Sequence, residues 1–202
     1  MGAHVFVDES KARTFLIAAV AITPDQMKAA RSAVRSLLLP GQPRLHMKNE
    51  KESLKRQILS TFASLDFAAT IYVAENYRTE LAARDGCLTA LVKDCARDGY
   101  SYLVLDRDDT LVSRDRQTLL LATRAAEYVN RLPYRHDTAA SEPLLAIPDA
   151  IAWAWAKGGI WRQRCEPMLS EITRVDNAKP ERHDHSGRVS GSLHRSSTQR
   201  AL

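Results

Sequence analysis

His4-Val5-Phe6-Val7 runs straight into Asp8-Glu9-Ser10, and the reading of this stretch decides the fold. Two later segments repeat the arrangement. Tyr102-Leu103-Val104-Leu105 ends on Asp106, and Leu144-Leu145-Ala146-Ile147-Pro148 ends on Asp149. Short continuous apolar runs bounded by charge fit strands buried in an α/β sheet. Ligands of such sheets bind beyond the carboxyl ends of the strands. Carboxylates gathered there repel one another unless they are protonated, paired with Lys or Arg, or neutralised by a cation. The expectation is an oxygen-donor site for Mg²⁺ or Mn²⁺ built from Asp8, Asp106 and Asp149.

The chain has 202 residues, 45% of them hydrophobic and 26% charged. Residues 1–175 read as a single α/β domain with a substantial core. Residues 176–202 are mostly His, Ser, Arg and Gly and read as a disordered tail. That tail supplies +2 of the net charge of +5. The body keeps a small positive excess, compatible with a nucleic-acid partner without requiring one. No apolar stretch is long enough to span a bilayer, and no secretory signal pattern is read at the start. Cys87, Cys95 and Cys165 form an odd set without paired metal-binding spacing. They read as reduced core thiols of a cytoplasmic protein.

The pattern along the chain predicts a hairpin of strands 5–8 and 14–22 around the polar turn Ser10-Lys11-Ala12-Arg13. Thr23-Pro24-Asp25 opens a helix that Pro40-Gly41 stops. Residues 44–48 are either strand or loop. Asn49 and Glu52 suggest a capping box before a helix carrying Leu54, Ile58, Leu59, Phe62 and Leu65 on one face. A strand over 67–74 follows, then a helix capped by Asn76 and ended by Gly99. After strand 102–105, Ser113 caps another helix, with Leu119, Leu120, Thr123, Ala126 and Val129 inward. The stretch 134–143 carries no clear pattern. Pro148 opens a helix, Gly158-Gly159 breaks it, and a last helix is expected over 161–175. The order implies a mixed sheet flanked by helices.

Each acid also has a plain structural role open to it. Asp8 can cap the hairpin turn, Asp106 can start a loop, and Asp149 suits the positive end of a helix dipole. Glu9, next to Asp8 in a strand, should face the opposite way, towards a basic partner. In extended chain His46, Lys48 and Glu50 share a face. They are candidates for a ligand, a phosphate contact and a further carboxylate.

The segments VFVDES (5–10), RLHMK (44–48), LVLD (103–106) and LLAIPDAIAWA (144–154) together resemble the family called domain of unknown function 3800. The resemblance spans nearly everything before the tail and rests on the order and spacing of short motifs. Lys11 stands where the family usually has Gly, and Pro148 where Ala often precedes the last Asp. The resemblance implies a ribonuclease-H-like mixed β-sheet flanked by helices, and a metal-dependent nuclease. On that reading Asp8, Asp106 and Asp149 hold Mg²⁺ or Mn²⁺, with Glu50 as a further ligand. His46 and Lys48 match the middle motif and serve the phosphate or a proton. Two ions about 4 Å apart are the usual arrangement for such hydrolysis.

Two other readings stand beside it. The first is a non-catalytic nucleic-acid or protein binding module on the same fold. The second takes Asp106-Arg107-Asp108-Asp109-Thr110-Leu111, which resembles the first motif of haloacid-dehalogenase phosphatases, with Asp106 as nucleophile and Asp108 as acid/base. Trp153, Trp155 and Trp161 are candidates to stack on bases or to pack in the core. His136-Asp137 is either an orienting pair near the site or ordinary loop. The sequence leaves open DNA against RNA and the oligomeric state.

Overall fold

The computed structural model describes residues 2–12 and 14–177. Among them, six strands form one sheet in the order β5-β4-β1-β2-β3-β6. β1 (His4–Ser10) and β2 (Leu16–Ile22) make the expected hairpin, and β3 (Ala68–Glu75) continues it antiparallel. β4 (Tyr102–Asp106) lies parallel to β1, and β5 (Tyr134–Asp137) parallel to β4. β6 (Leu169–Asp176) runs parallel to β3 at the far edge. Every residue of β2 is buried, as suits an uninterrupted apolar run covered on both faces.

Alternation along the strands sorts their side chains into two cores. Phe6, Ala18, Val20, Ile71 and Val104 face α1 (Met27–Ser36), α2 (Glu52–Phe62), α5 (Ala146–Lys157) and α6 (Gly159–Cys165). Val5, Val7, Ile17, Tyr72 and Leu105 face α3 (Glu80–Asp98) and α4 (Val112–Ala125). Ile58, Leu59 and Phe62 are the buried stripe of α2, on the face that their spacing picks out. All three cysteines are buried thiols, each pushed up to about 12 by burial. No helix among the described residues is long and apolar enough to cross a membrane.

The structure departs from the sequence pattern in several places. The helix expected over 161–175 stops at Cys165, turns once through Glu166–Met168, and becomes β6. Pro167 brings no N–H to a helix interior and clashes with the preceding turn. The β-branched Ile172, Thr173 and Val175 then favour a strand, and the charged Glu171 and Arg174 suit a sheet edge. Asp176, placed at the head of the expected tail, is the last residue of β6. The remainder of that tail, from 178, lies outside the described residues. β5 fills part of the segment that carried no pattern. Residues 144–147, read as a third apolar run, are the end of a short 3-10 turn and the start of α5 rather than a strand.

Capping differs too. Thr79, not Asn76, caps α3 by accepting from the Ala82 N–H at 3.1 Å. Asn76 adopts a left-handed φ of 59° and donates to Asp176. No capping box forms at Asn49 and Glu52; Lys51 precedes α2 without a side-chain cap. On α4, Leu119 and Ala122 point inward and Leu120 is exposed; Val129, beyond the end of the helix, is exposed too.

α5 matters most for the site because it packs its Ala150, Ile151 and Ala154 onto the sheet and carries Asp149 in its first turn. Its entry is fixed by the buried Glu142. That carboxylate takes two hydrogen bonds from Arg31 of α1, at 3.0 and 2.8 Å, and one from Arg135 of β5 at 3.1 Å. Truncating Ile151, fully buried beneath α5, should cost about 2–5 kcal/mol. Urea unfolding of Ile151→Ala at unchanged m-value checks this.

Candidate functional site

The parallel register of β1 and β4 sets Val7 opposite Leu105. Asp8 and Asp106 are the next residues on each strand, so they stand side by side. Both follow the alternation of Phe6 and Val104 and project towards α5. There Asp149 joins them from the first turn of the helix. The three acids that the sequence singled out are therefore brought to one place, at the carboxyl ends of adjacent strands.

Their charges act on one another. Burial, and then the charges of Asp149 and Asp106, hold the Asp8 carboxyl well above the usual carboxylate range; Arg84 and Arg44 oppose this. Among the described residues, the hydrogen bond that Asp8 accepts comes from the Glu9 N–H at 2.7 Å, and no cation is bonded to it. Asp106 is raised as well, by burial first, with Arg44 opposing and Asp149 adding to the rise. The site therefore holds excess negative charge.

The loop 44–50 closes one side of it. Leu45 and Met47 are buried while His46 and Lys48 point outward, the alternation of an extended segment without a strand partner. Asp149 ties the loop down. Its Oδ2 accepts the Met47 N–H at 2.8 Å, and its Oδ1 lies 3.4 Å from His46 Nδ1. The bond to Asp149 raises His46 above its ordinary value. Lys48 is exposed and forms no ion pair among the described residues. Glu50 is not drawn to the three aspartates. Its carboxylate accepts from the Gln42 side chain at 2.6 Å and from the His46 N–H at 3.2 Å, which shapes the loop itself.

On the opposite face of β1, Glu9 turns away from Asp8 and pairs with Arg84 of α3 and with Lys11. Arg84 is bonded twice to the buried Asp115 of α4, at 2.7 and 2.9 Å, and Asp115 receives His136 of β5 at 2.8 Å. Burial alone would raise Asp115; the bonds from Arg84 and His136 outweigh it and hold its carboxyl below the usual range. His136 thus belongs to a buried network behind the site. Asp137 lies in register beside Asp106, but its carboxylate is taken by Arg135 at 3.0 Å and the Thr138 N–H at 2.8 Å.

Sequence reading missed Arg84, Asp115 and Arg44. Nothing in the local pattern of α3 or α4 announces a buried pair; the one available signal was that Glu9 needs a cation. The phosphatase reading meets a physical obstacle at Asp108. Its carboxylate accepts from the Thr110 hydroxyl at 2.6 Å and the Thr110 N–H at 3.0 Å, capping the turn into α4. Those bonds lower its pKa, the wrong direction for a group that must donate a proton.

The chain has a ribonuclease-H-like fold. It is similar to a solved structure of the PCNA:RNase HII complex from Archaeoglobus fulgidus, with 13% identity and a TM-score of 0.53. The match covers 80% of this chain and 76% of the other. No protein-family model matches the chain, and no curated protein matches it.

Two measurements test this electrostatic account. Because the folded pKa of Asp8 is raised, the folded state is penalised at neutral pH, and the penalty fades as pH falls through that value towards about 3.9. Without divalent ions, Asp8→Asn should therefore raise Tm at pH 7, by about 2–4 °C for each kcal/mol relieved, and the gain should shrink in acid. Scanning calorimetry across pH reads both. Asp115 has the opposite sign. Its stabilisation is complete above about pH 3.9 and is lost as pH falls through its lowered folded value. Asp115→Asn should cost about 3–5 kcal/mol in urea unfolding near neutrality, with the gap to wild type closing in acid.

Proposed function

We propose that this protein is a metal-dependent nuclease that hydrolyses phosphodiester bonds of nucleic acid at Asp8, Asp106 and Asp149. The observation that carries the reading is that the charges of Asp106 and Asp149 act on the buried Asp8, to which no cation is bonded among the described residues. Such a cluster is relieved by a divalent ion bound through oxygen. The ribonuclease-H-like fold and the resemblance to domain of unknown function 3800 agree with it.

The donor set suits Mg²⁺ or Mn²⁺. Asp8, whose carboxyl feels the charges of both Asp149 and Asp106, would hold the ion together with them. A bound ion would supply the Lewis acidity that makes water a nucleophile at neutral pH and offsets charge on the departing oxygen. In the reaction a water oxygen bonds to phosphorus and the bond from phosphorus to the sugar oxygen breaks. His46, beside Asp149, is placed to deliver a proton to that leaving oxygen. Lys48, exposed and without an ion pair, holds the phosphate. Arg44 and Arg107 line the approach. Beyond Arg107 a cavity of about 740 Å³ presents Arg116 and Arg135, which suits the backbone of the same nucleic acid.

One observation favours the binding-module reading. Among the described residues no group of three His, Cys, Asp or Glu side chains stands ready to hold an ion, and Asp149 is engaged with His46 and Met47. Labelled single- and double-stranded DNA and RNA, incubated with Mg²⁺ or Mn²⁺, decide between the two. Cleavage that needs the ion and disappears in Asp8→Asn supports the nuclease. No cleavage and no thermal stabilisation by either ion leaves the binding module. The nuclease predicts stabilisation of about 2.7 kcal/mol at an ion concentration about 100 times Kd.

A further inference from the structure

Trp153 lies one helical turn beyond Asp149 on α5, on the same side of the helix. Together with His46, Lys48, Asp149 and Lys11 it lines a groove of about 500 Å³. The ring is braced from elsewhere. Lys55 of α2 sits 4.8 Å from its centroid, and Trp161 meets it edge-on at 5.2 Å. Neither brace lines the groove, so the indole is held rigidly while part of it stays open beside the carboxylates. The other two tryptophans are placed differently. Trp161 is buried, and Trp155 is covered by Arg162 at 4.2 Å and lines a separate pocket against β3 and β6.

We infer that Trp153 is a stacking platform for one unpaired base next to the scissile phosphate, and hence that the groove takes single-stranded nucleic acid. The inference rests on the nucleic-acid part of the proposed function. A fixed aromatic surface with lysines beside it is the arrangement by which proteins hold single strands. Lys48, which forms no ion pair among the described residues, offers a cation for the backbone, and the carboxylates begin one turn away along α5. Bases inside a duplex have both faces covered by their neighbours, so only a splayed base reaches such a platform.

The test measures binding of labelled single-stranded oligonucleotides, and of a hairpin duplex of the same sequence, by fluorescence anisotropy with Ca²⁺. Wild type is compared with Trp153→Phe and Trp153→Leu, and cleavage of the same oligonucleotides is followed with Mg²⁺. Trp153→Leu should bind single strands about ten-fold more weakly, Trp153→Phe should stay near wild type, and duplex binding should change in neither. A series carrying one abasic site needs no variant. One position in the series should weaken binding to wild type by a similar factor. Unchanged single-strand binding by a folded Trp153→Leu, or an abasic series without a sensitive position, overturns the platform. If cleavage persists in either case and is lost in Asp8→Asn, the nuclease reading survives alone. Trp153-dependent binding without cleavage keeps the platform and removes the nuclease. No binding of any oligonucleotide removes both.

Discussion

The parallel backbone ladder between β1 and β4 is the constraint on which the molecule turns. Val7 opposite Leu105 leaves no freedom for the next pair, so two aspartates must share one face at the spacing of adjacent strands. That proximity is unfavourable for the ionised forms, and burial makes it more so. The cost is met by the hydrophobic face immediately below. Phe6 and Val104 sit one pleat back on the same side, beneath Ile147, Ala150 and Ile151 of α5. A sheet anchored by that much apolar contact tolerates a strained pair of carboxylates at its rim, which is the usual bargain between stability and a functional site.

Alternation then divides the charge. Asp8 goes to one side of the sheet, with no cation bonded to it among the described residues, and Glu9 goes to the other, where Arg84 meets it. Arg84 cannot be buried between α3 and β1 without further acceptors; Asp115 supplies two, and His136 in turn bonds Asp115. A buried ionic network of this kind earns little net stability over an apolar replacement, but removing one member leaves an uncompensated charge. Its position matters more. It pins α3, α4 and β5 to the strand that carries Asp8, while Glu142, Arg31 and Arg135 do the same for α1, β5 and the entry to α5. The two clamps lie on opposite faces of the sheet, and the carboxylates lie on the face of the second.

What was legible in the sequence follows from how local each cause is. β1, β2 and β4 show as apolar runs because both their faces are covered, and the three aspartates show because each directly follows or sits within such a run. The helix face of α2 is equally local, set by a period of 3.6. β5 did not show because four residues reading Tyr-Arg-His-Asp at a sheet edge have no apolar face to reveal. β6 did not show because its one-sided edge pattern looks like the continuation of α6 until Pro167 is weighed. Arg84 and Asp115 sit 31 residues apart on different helices, and only their packing makes them partners. Glu50 was placed with His46 and Lys48 by alternation, but the chain turns through residues 47–49 and folds the carboxylate back on its own loop.

The distribution of cations around the site is the last piece. Three carboxylates repel an anionic polymer as firmly as they attract a divalent ion, and a body that carries little net charge offers no general field to overcome that. Half of the described arginines, Arg31, Arg84, Arg97, Arg114 and Arg135 among them, are bonded to acids. Arg44, Lys48 and Arg116 form no ion pair among the described residues, and they flank the carboxylates, two on the loop over Asp149 and one in the cavity beyond Arg107. Attraction for phosphate is thus kept at the rim and attraction for a cation at the centre. On the proposed function, a backbone drawn along the rim would pass over the aspartates, and a divalent ion joining the two would be the component on which its approach depends.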